Sequence, residues 1–165
     1  MNSTQMTLEV LGIDHIYIAV SDLAHSTAFY DGVMKLLGFR KGTDPVGGQP
    51  HVHYFNRALQ YTLRPAKSDA VAHDPLVPGL HHLCFQVADI SAIDKAAQGL
   101  RKLGIEVSEP RYYPEYGADY YAVYFKDRDE IELEIVNRTR IRNIIHDNWE
   151  QLEHFENPLS KAGLI

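Results

Sequence analysis

The chain has 165 residues, 45% of them apolar, enough for one domain of ordinary size with a real core. A formal charge of −6 without clustered Lys and Arg excludes a nucleic-acid groove and a membrane-surface patch, and no apolar run approaches the roughly 18 residues of a membrane-spanning helix. Residues 1–7 lack the pattern of a signal peptide, and the single cysteine, Cys84, has no disulfide partner within the chain, which together suit a cytoplasmic protein.

Residues 13–20 alternate and are rich in β-branched side chains, which predicts a strand. Ser21 or Asp22 is suited to cap the helix that follows, where Leu23, Phe29, Tyr30, Val33, Met34 and Leu37 recur at helical spacing until Gly38 stops them. Short strands are expected near 39–40, 51–55 and 59–63, with a Gly- and Pro-rich loop over 42–50. Residues 65–78 are rich in Ala, Asp and Pro and read as a linker. A strand over 80–88 comes next, then a cap at Asp89 or Ser91. A helix carrying Ile93, Ala96, Ala97, Leu100 and Leu103 on one face ends at Gly104. Further strands are expected over 105–108, 120–126 and 131–136, with a loop over 109–119. In the tail, Ile141, Ile145, Trp149 and Leu152 form one helical stripe within 139–155, ended by Asn157 and Pro158. That helix is expected to close a sheet edge or dock on a partner subunit, with a lid over a substrate site as the sharper alternative.

The order of elements repeats because the sequence repeats. Gly12, His15, Val20, Asp22 and Leu23 are answered 67 residues later by Gly79, His82, Val87, Asp89 and Ile90. The expected architecture is therefore α+β, two βαβββ modules curling a mostly antiparallel sheet into a cup, plus a C-terminal helix. In domain terms, 1–165 form a single domain, with module one at about 10–65, a linker at 66–78, module two at about 79–137 and a helical tail at 138–165. If the modules pack as a pseudo-symmetric pair, His15 and His82 face one shared cavity.

Strand parity separates chemistry from core. His15, Tyr17 and Ala19 share one face of the first strand, and His82, Cys84 and Gln86 share one face of its counterpart. The opposite, uniformly apolar faces must pack under the helices. His81 falls on the apolar side and aligns with Asp14, so His82 is the preferred functional histidine. In the last strand Glu132 and Glu134 share a face. A carboxylate turned inward is costly unless a cation or hydrogen bonds compensate it. Two histidines and a carboxylate form the arrangement of non-haem iron and related divalent-metal sites, leaving positions open for water, oxygen or substrate.

Three motifs resemble the vicinal oxygen chelate superfamily, the glyoxalase, bleomycin resistance protein and extradiol dioxygenase group. They are the strand and cap from Asp14 to Leu23, the strand from Leu80 to Val87, and the segment from Tyr121 to Ile135. The last resembles a closing hairpin written F-x-D-P-D-G-x-x-[IL]-E-[LIV], with Arg128 and Glu130 standing where Pro and Gly are usual. The resemblance covers residues 10–137. It implies His15, His82 and Glu134 as ligands of one divalent metal ion (Fe, Mn, Ni, Co or Zn), with Glu132 the rival carboxylate. Many members add a fourth ligand from the last strand of module one, where this chain has Gln60 and Thr62 and no carboxylate. That counts against a simple glyoxalase and suits a three-ligand site.

Other residues carry two readings. Cys84 reads as a small buried hydrophobe before a redox or ligand role. The tyrosines at 112, 113, 116, 120 and 121 read as a packed loop and strand, or as a wall for an aromatic substrate with Tyr113 and Tyr121 in contact. Arg64 can meet an anionic substrate or an ion-pair partner. Tyr124, Gln60 and His53 are the acid–base or orienting candidates. The preferred function is a divalent-metal enzyme of the lyase, isomerase or dioxygenase type acting on a small oxygen-chelating molecule. The alternative is a metal-free protein that sequesters a small molecule, as in antibiotic-binding members, which lack the ligand set. The resemblance also implies a homodimer.

Overall fold

The structure, a computed structural model, describes residues 8–165, and the N-terminal residues 1–7, where no signal pattern is seen, lie outside the described residues. The chain divides between Val71 and Ala72 into two compact units.

The first unit runs β1 (His15–Val20), α1 (Leu23–Leu36), β2 (Arg40–Gly42), β3 (Val52–Phe55) and β4 (Gln60–Pro65). Its sheet has the order β1-β4-β3-β2, with β1 and β4 parallel and the other pairs antiparallel. The Asp22 carboxylate caps α1 by accepting the His25 backbone N–H at 2.9 Å. At the far end Gly38 takes φ +82°, the left-handed conformation that only glycine adopts without strain, and turns the chain into β2. Ile18, Val20, Tyr54, Tyr61 and Leu63 are buried with Tyr30, Val33 and Met34 of α1. The Tyr30 and Tyr61 hydroxyls meet at 2.9 Å inside that core, so neither polar tip is buried alone.

The second unit repeats the plan with β5 (His82–Gln86), α2 (Ile90–Lys102), β6 (Arg111–Tyr112), β7 (Tyr121–Lys126) and β8 (Glu132–Asn137), in the order β5-β8-β7-β6. Asp89 caps α2, and Gly104 at φ +74° stops it as Gly38 stops α1. Ile93, Ala97 and Leu100 of α2 are fully buried, as are Val123, Leu133 and Ile135 of the sheet. The expected strand over 105–108 is reduced to a single bridge between Val107 and Phe125, and the edge position is taken by β6, inside the segment expected to be loop.

After β8 come α3 (Thr139–Asp147), one 3-10 turn (Trp149–Gln151) and α4 (Pro158–Lys161). A C-terminal helix is present, but the continuous helix expected over 139–155 stops at Asn148. Its side-chain Nδ2 donates to the Ile144 carbonyl at 2.8 Å and satisfies a helix-end acceptor. Among the described residues no helix is long and apolar enough to cross a membrane.

Candidate metal centre

In each unit the helix covers one sheet face, and the polar strand residues collect on the other, which in the second unit also carries the buried cluster of Tyr113, Tyr120, Ala122 and Val136. On β1, Ile18 and Val20 are buried while His15, Tyr17 and Ala19 are exposed. Register places Gln60 beside His15 and Thr62 beside Tyr17, with His53 opposite Thr62. A chain of hydrogen bonds runs through these groups. The Asp44 carbonyl can only accept, so His53 Nε2 donates to it at 2.9 Å, and Nδ1 accepts from the Thr62 hydroxyl at 3.0 Å. Thr62 Oγ1 in turn accepts from Gln60 Nε2 at 3.1 Å. Both His53 nitrogens are thereby occupied. Arg64 has the same parity but pairs with Ala19, further along the strand and exposed.

His15 has its own positioning group. Its Nδ1 donates to Asp14 Oδ2 at 2.8 Å, which leaves the Nε2 lone pair outward. The second unit repeats the device with a different side chain. His82 Nδ1 lies 2.8 Å from Nδ1 of His81, the residue aligned with Asp14 in the repeat. One of those nitrogens must carry the proton, and with it on His82 the Nε2 is again the free lone pair.

Glu134 lies on β8 with Cys84 beside it on β5 and Tyr124 on β7. It is 1% exposed, an unusual place for a carboxylate. Two tyrosines hold it. The Tyr120 hydroxyl donates to Oε1 at 2.6 Å, and the Tyr124 hydroxyl donates to the same oxygen at 3.1 Å. Burial first, and the Glu134 charge and hydrogen bonds after it, push both tyrosines above the ordinary phenol range. They remain donors throughout the neutral range. Cys84, expected as a small buried hydrophobe, is exposed on β5; its thiol is still pushed up, first by desolvation among its neighbours and then by Glu134, with Arg138 and Arg142 pulling the other way.

The second carboxylate oxygen is turned to His82. Oε2 lies 3.4 Å from His82 Nε2, longer than a charge-assisted hydrogen bond. Two ligands at about 2.0–2.2 Å from one tetrahedral ion would be roughly 3.4 Å apart. A buried carboxylate with one oxygen tied down and the other facing a free imidazole nitrogen therefore fits a divalent cation. A second grouping exists on the same unit: one donor atom each from His81, His82 and Glu132 lie within 4.8 Å of one another. It is more exposed, and it competes with the first for His82.

The family model of the Glyoxalase/Bleomycin resistance protein/Dioxygenase superfamily matches residues 12–135. The chain belongs to this superfamily. No curated protein sequence matches it. Among solved structures, the chain is similar to a glyoxylase/bleomycin resistance protein/dioxygenase domain from Frankia sp. EAN1pec, at 23% identity and a TM-score of 0.66, over 78% of this chain and 98% of that one. It is also similar to lactoylglutathione lyase from Agrobacterium tumefaciens, at 22% identity and a TM-score of 0.57, over 82% and 98% of the two chains. The fosfomycin resistance protein FosX from Listeria monocytogenes gives 19% identity and a TM-score of 0.56, over 78% and 94%. At these identities the neighbours establish the fold.

In this superfamily member the closing hairpin keeps its turn without the usual Pro and Gly. Asp127 Oδ1 accepts the backbone N–H groups of Asp129 and Ile131, both at 2.9 Å. Glu130, where Gly is usual, takes the left-handed conformation at φ +65°, and its carboxylate pairs with Lys126 at 2.9 Å. Of the residues singled out in the sequence, the second unit brings His82, Glu134, Tyr124 and Tyr113 together, with the Tyr113 and Tyr124 rings 5.2 Å apart. Tyr121 is not among them. It lies on the opposite face of β7, and its hydroxyl donates to Asp94 of α2 at 3.1 Å, so a substrate contact beside Glu134 is not where it points. Tyr120 makes the shortest contact to Glu134, at 2.6 Å, a role its place in an aromatic group does not reveal. Its parity with Tyr124 was the available signal.

Proposed function

We propose that the protein is a divalent-metal-dependent enzyme acting on a small molecule that chelates through adjacent oxygen atoms. His15 Nε2, His82 Nε2 and Glu134 Oε2 would hold the ion (Fe, Mn, Ni, Co or Zn), which would serve as a Lewis acid for lyase or isomerase chemistry or as a centre for dioxygenation. The observation that carries this reading is the state of Glu134, buried and fixed through Oε1, with Oε2 facing His82 Nε2. Asp14 and His81 act as positioning residues that set the tautomers of the two histidines.

The surrounding groups have distinct roles. Tyr120 and Tyr124 hold and orient the carboxylate through Oε1, and their raised pKa values make them proton donors rather than bases. The Gln60–Thr62–His53 chain leaves the Gln60 amide oxygen as the group of that unit available to the ion or the substrate. Tyr113, with the Arg111 guanidinium 4.0 Å over its ring, would wall the substrate on the Tyr124 side. The substrate is a small molecule, and a homodimer is the proposed assembly. Reconstitution with each metal in turn, followed by elemental analysis of the native protein and of His15→Ala and Glu134→Gln, tests the reading. Loss of a stoichiometric ion in both variants supports it. A protein that binds no ion under any loading condition leaves the metal-free binding function in its place.

A further inference from the structure

A cavity of about 520 Å³ opens in the second unit between the loop ahead of β7, the start of α3 and the chain around α4. This volume lies in the ordinary range for small-molecule sites, roughly 300–1,000 Å³. Ile141 and Ile144 of α3, with Leu159 and Leu164, make its apolar wall, and Tyr120 and Arg138 close another side. Arg138 is the informative residue. Its guanidinium lies 5.5 Å over the Tyr120 ring, and its Nε is buried with no hydrogen-bond partner. A guanidinium cannot shed its charge, so an unsatisfied N–H there is costly and marks a place where an acceptor belongs.

The local charge has the same sense. Arg138, Arg140 and Arg142 fall within five residues of a chain whose net charge is −6. The one side-chain carboxylate in the wall, Asp119, already accepts the Arg140 backbone N–H at 3.0 Å. A neutral apolar ligand would leave Arg138 Nε without an acceptor, and a compact polyanion would leave the aliphatic wall unmatched. We infer that this cavity binds an amphipathic monocarboxylate, an organic acid with an apolar chain, its carboxylate on Arg138 and its chain along Ile141, Ile144 and Leu159. The site does not depend on the metal reading. The two share only Tyr120, whose ring lines the cavity and whose hydroxyl holds Glu134.

Calorimetric titration of decanoate and decanol into the full-length protein, with and without a chelator, tests the assignment. Decanoate is expected to bind at one site, unchanged by the chelator, and about tenfold or more tighter than decanol because only the anion makes a charge-assisted bond. Arg138→Met should weaken decanoate by about tenfold and leave decanol unchanged. Ile144→Trp, which fills the cavity, should weaken both, and it carries the test if circular dichroism shows that Arg138→Met does not fold. Absence of decanoate binding up to about 1 mM would overturn the assignment. So would equal affinity for decanol, binding that the chelator abolishes, or a folded Ile144→Trp protein with native affinity.

Discussion

Tyr120→Phe removes one hydroxyl and keeps the ring. In the native protein that hydroxyl is 2.6 Å from Glu134 Oε1, and the two side chains belong to residues only 8% and 1% exposed. Hydrogen bonds to charged groups contribute about 1.5–3 kcal/mol, and a buried acceptor that loses its donor is not rescued by water. Tyr124 stays on the same oxygen at 3.1 Å, so the carboxylate is not stripped of donors, and a loss near 2 kcal/mol is expected for metal-free protein. With an m-value of roughly 2 kcal/mol/M, the urea midpoint should fall by about 1 M. Metal-loaded protein should lose less, because a cation at Oε2 offsets the charge that Tyr120 helps to compensate. Tyr116→Phe, at a residue 62% exposed, is the control and should leave the midpoint unchanged. A Tyr120→Phe midpoint indistinguishable from the control would refute the reasoning that the buried Glu134 side chain is held by this bond.

Three other outcomes are expected. The Tyr54 hydroxyl, buried and donating to Asp31 at 2.7 Å, is pushed above the ordinary phenol value of 10.0 by burial and then by Asp31. Its folded pKa exceeds its unfolded one, so its contribution is complete below about pH 10 and is lost as pH rises through the folded value; Tyr54→Phe should flatten the alkaline fall in stability measured by urea unfolding. Gly38→Ala should cost about 1 kcal/mol, because φ +82° is strained for any Cβ although no atom lies within 4 Å of one, and differential scanning calorimetry should register the loss. Asp14→Ala and His81→Ala should each weaken metal affinity about tenfold without removing the site, measured by competition with a chromophoric chelator, and unchanged affinity in both would deny them a positioning role.

Much of the fold was legible because it is written twice. The 67-residue offset fixes the βαβββ order, and Asp22 with Gly38, then Asp89 with Gly104, punctuate both helices as their side-chain chemistry requires. Parity was equally legible: the alternation of β1 separates exposed His15 from buried Ile18, and that of β8 puts Glu134 opposite Leu133. Less was legible where tertiary partners decide. Residues 105–108 have strand character, yet β7 pairs its edge mainly with Arg111–Tyr112, since strand propensity is settled by the available partner. The stripe through Ile141, Ile145, Trp149 and Leu152 predicts an uninterrupted helix, but periodicity does not register the Asn148 side-chain bond that ends α3, and Trp149 is left exposed. Tyr120 was hidden among five tyrosines whose composition suggests packing, and its role follows only from which oxygen its hydroxyl reaches.

The proposed function needs one divalent ion held by His15, His82 and Glu134. Metal stoichiometry by inductively coupled plasma mass spectrometry, on native protein and on His15→Ala, His82→Ala, Glu134→Gln and Glu132→Gln after identical loading, tests it most directly. One ion per chain is expected in the native protein and in Glu132→Gln, and its loss in the other three. Retention of the ion in His15→Ala and Glu134→Gln, with loss in Glu132→Gln, would assign it to the His81, His82 and Glu132 grouping and contradict the account.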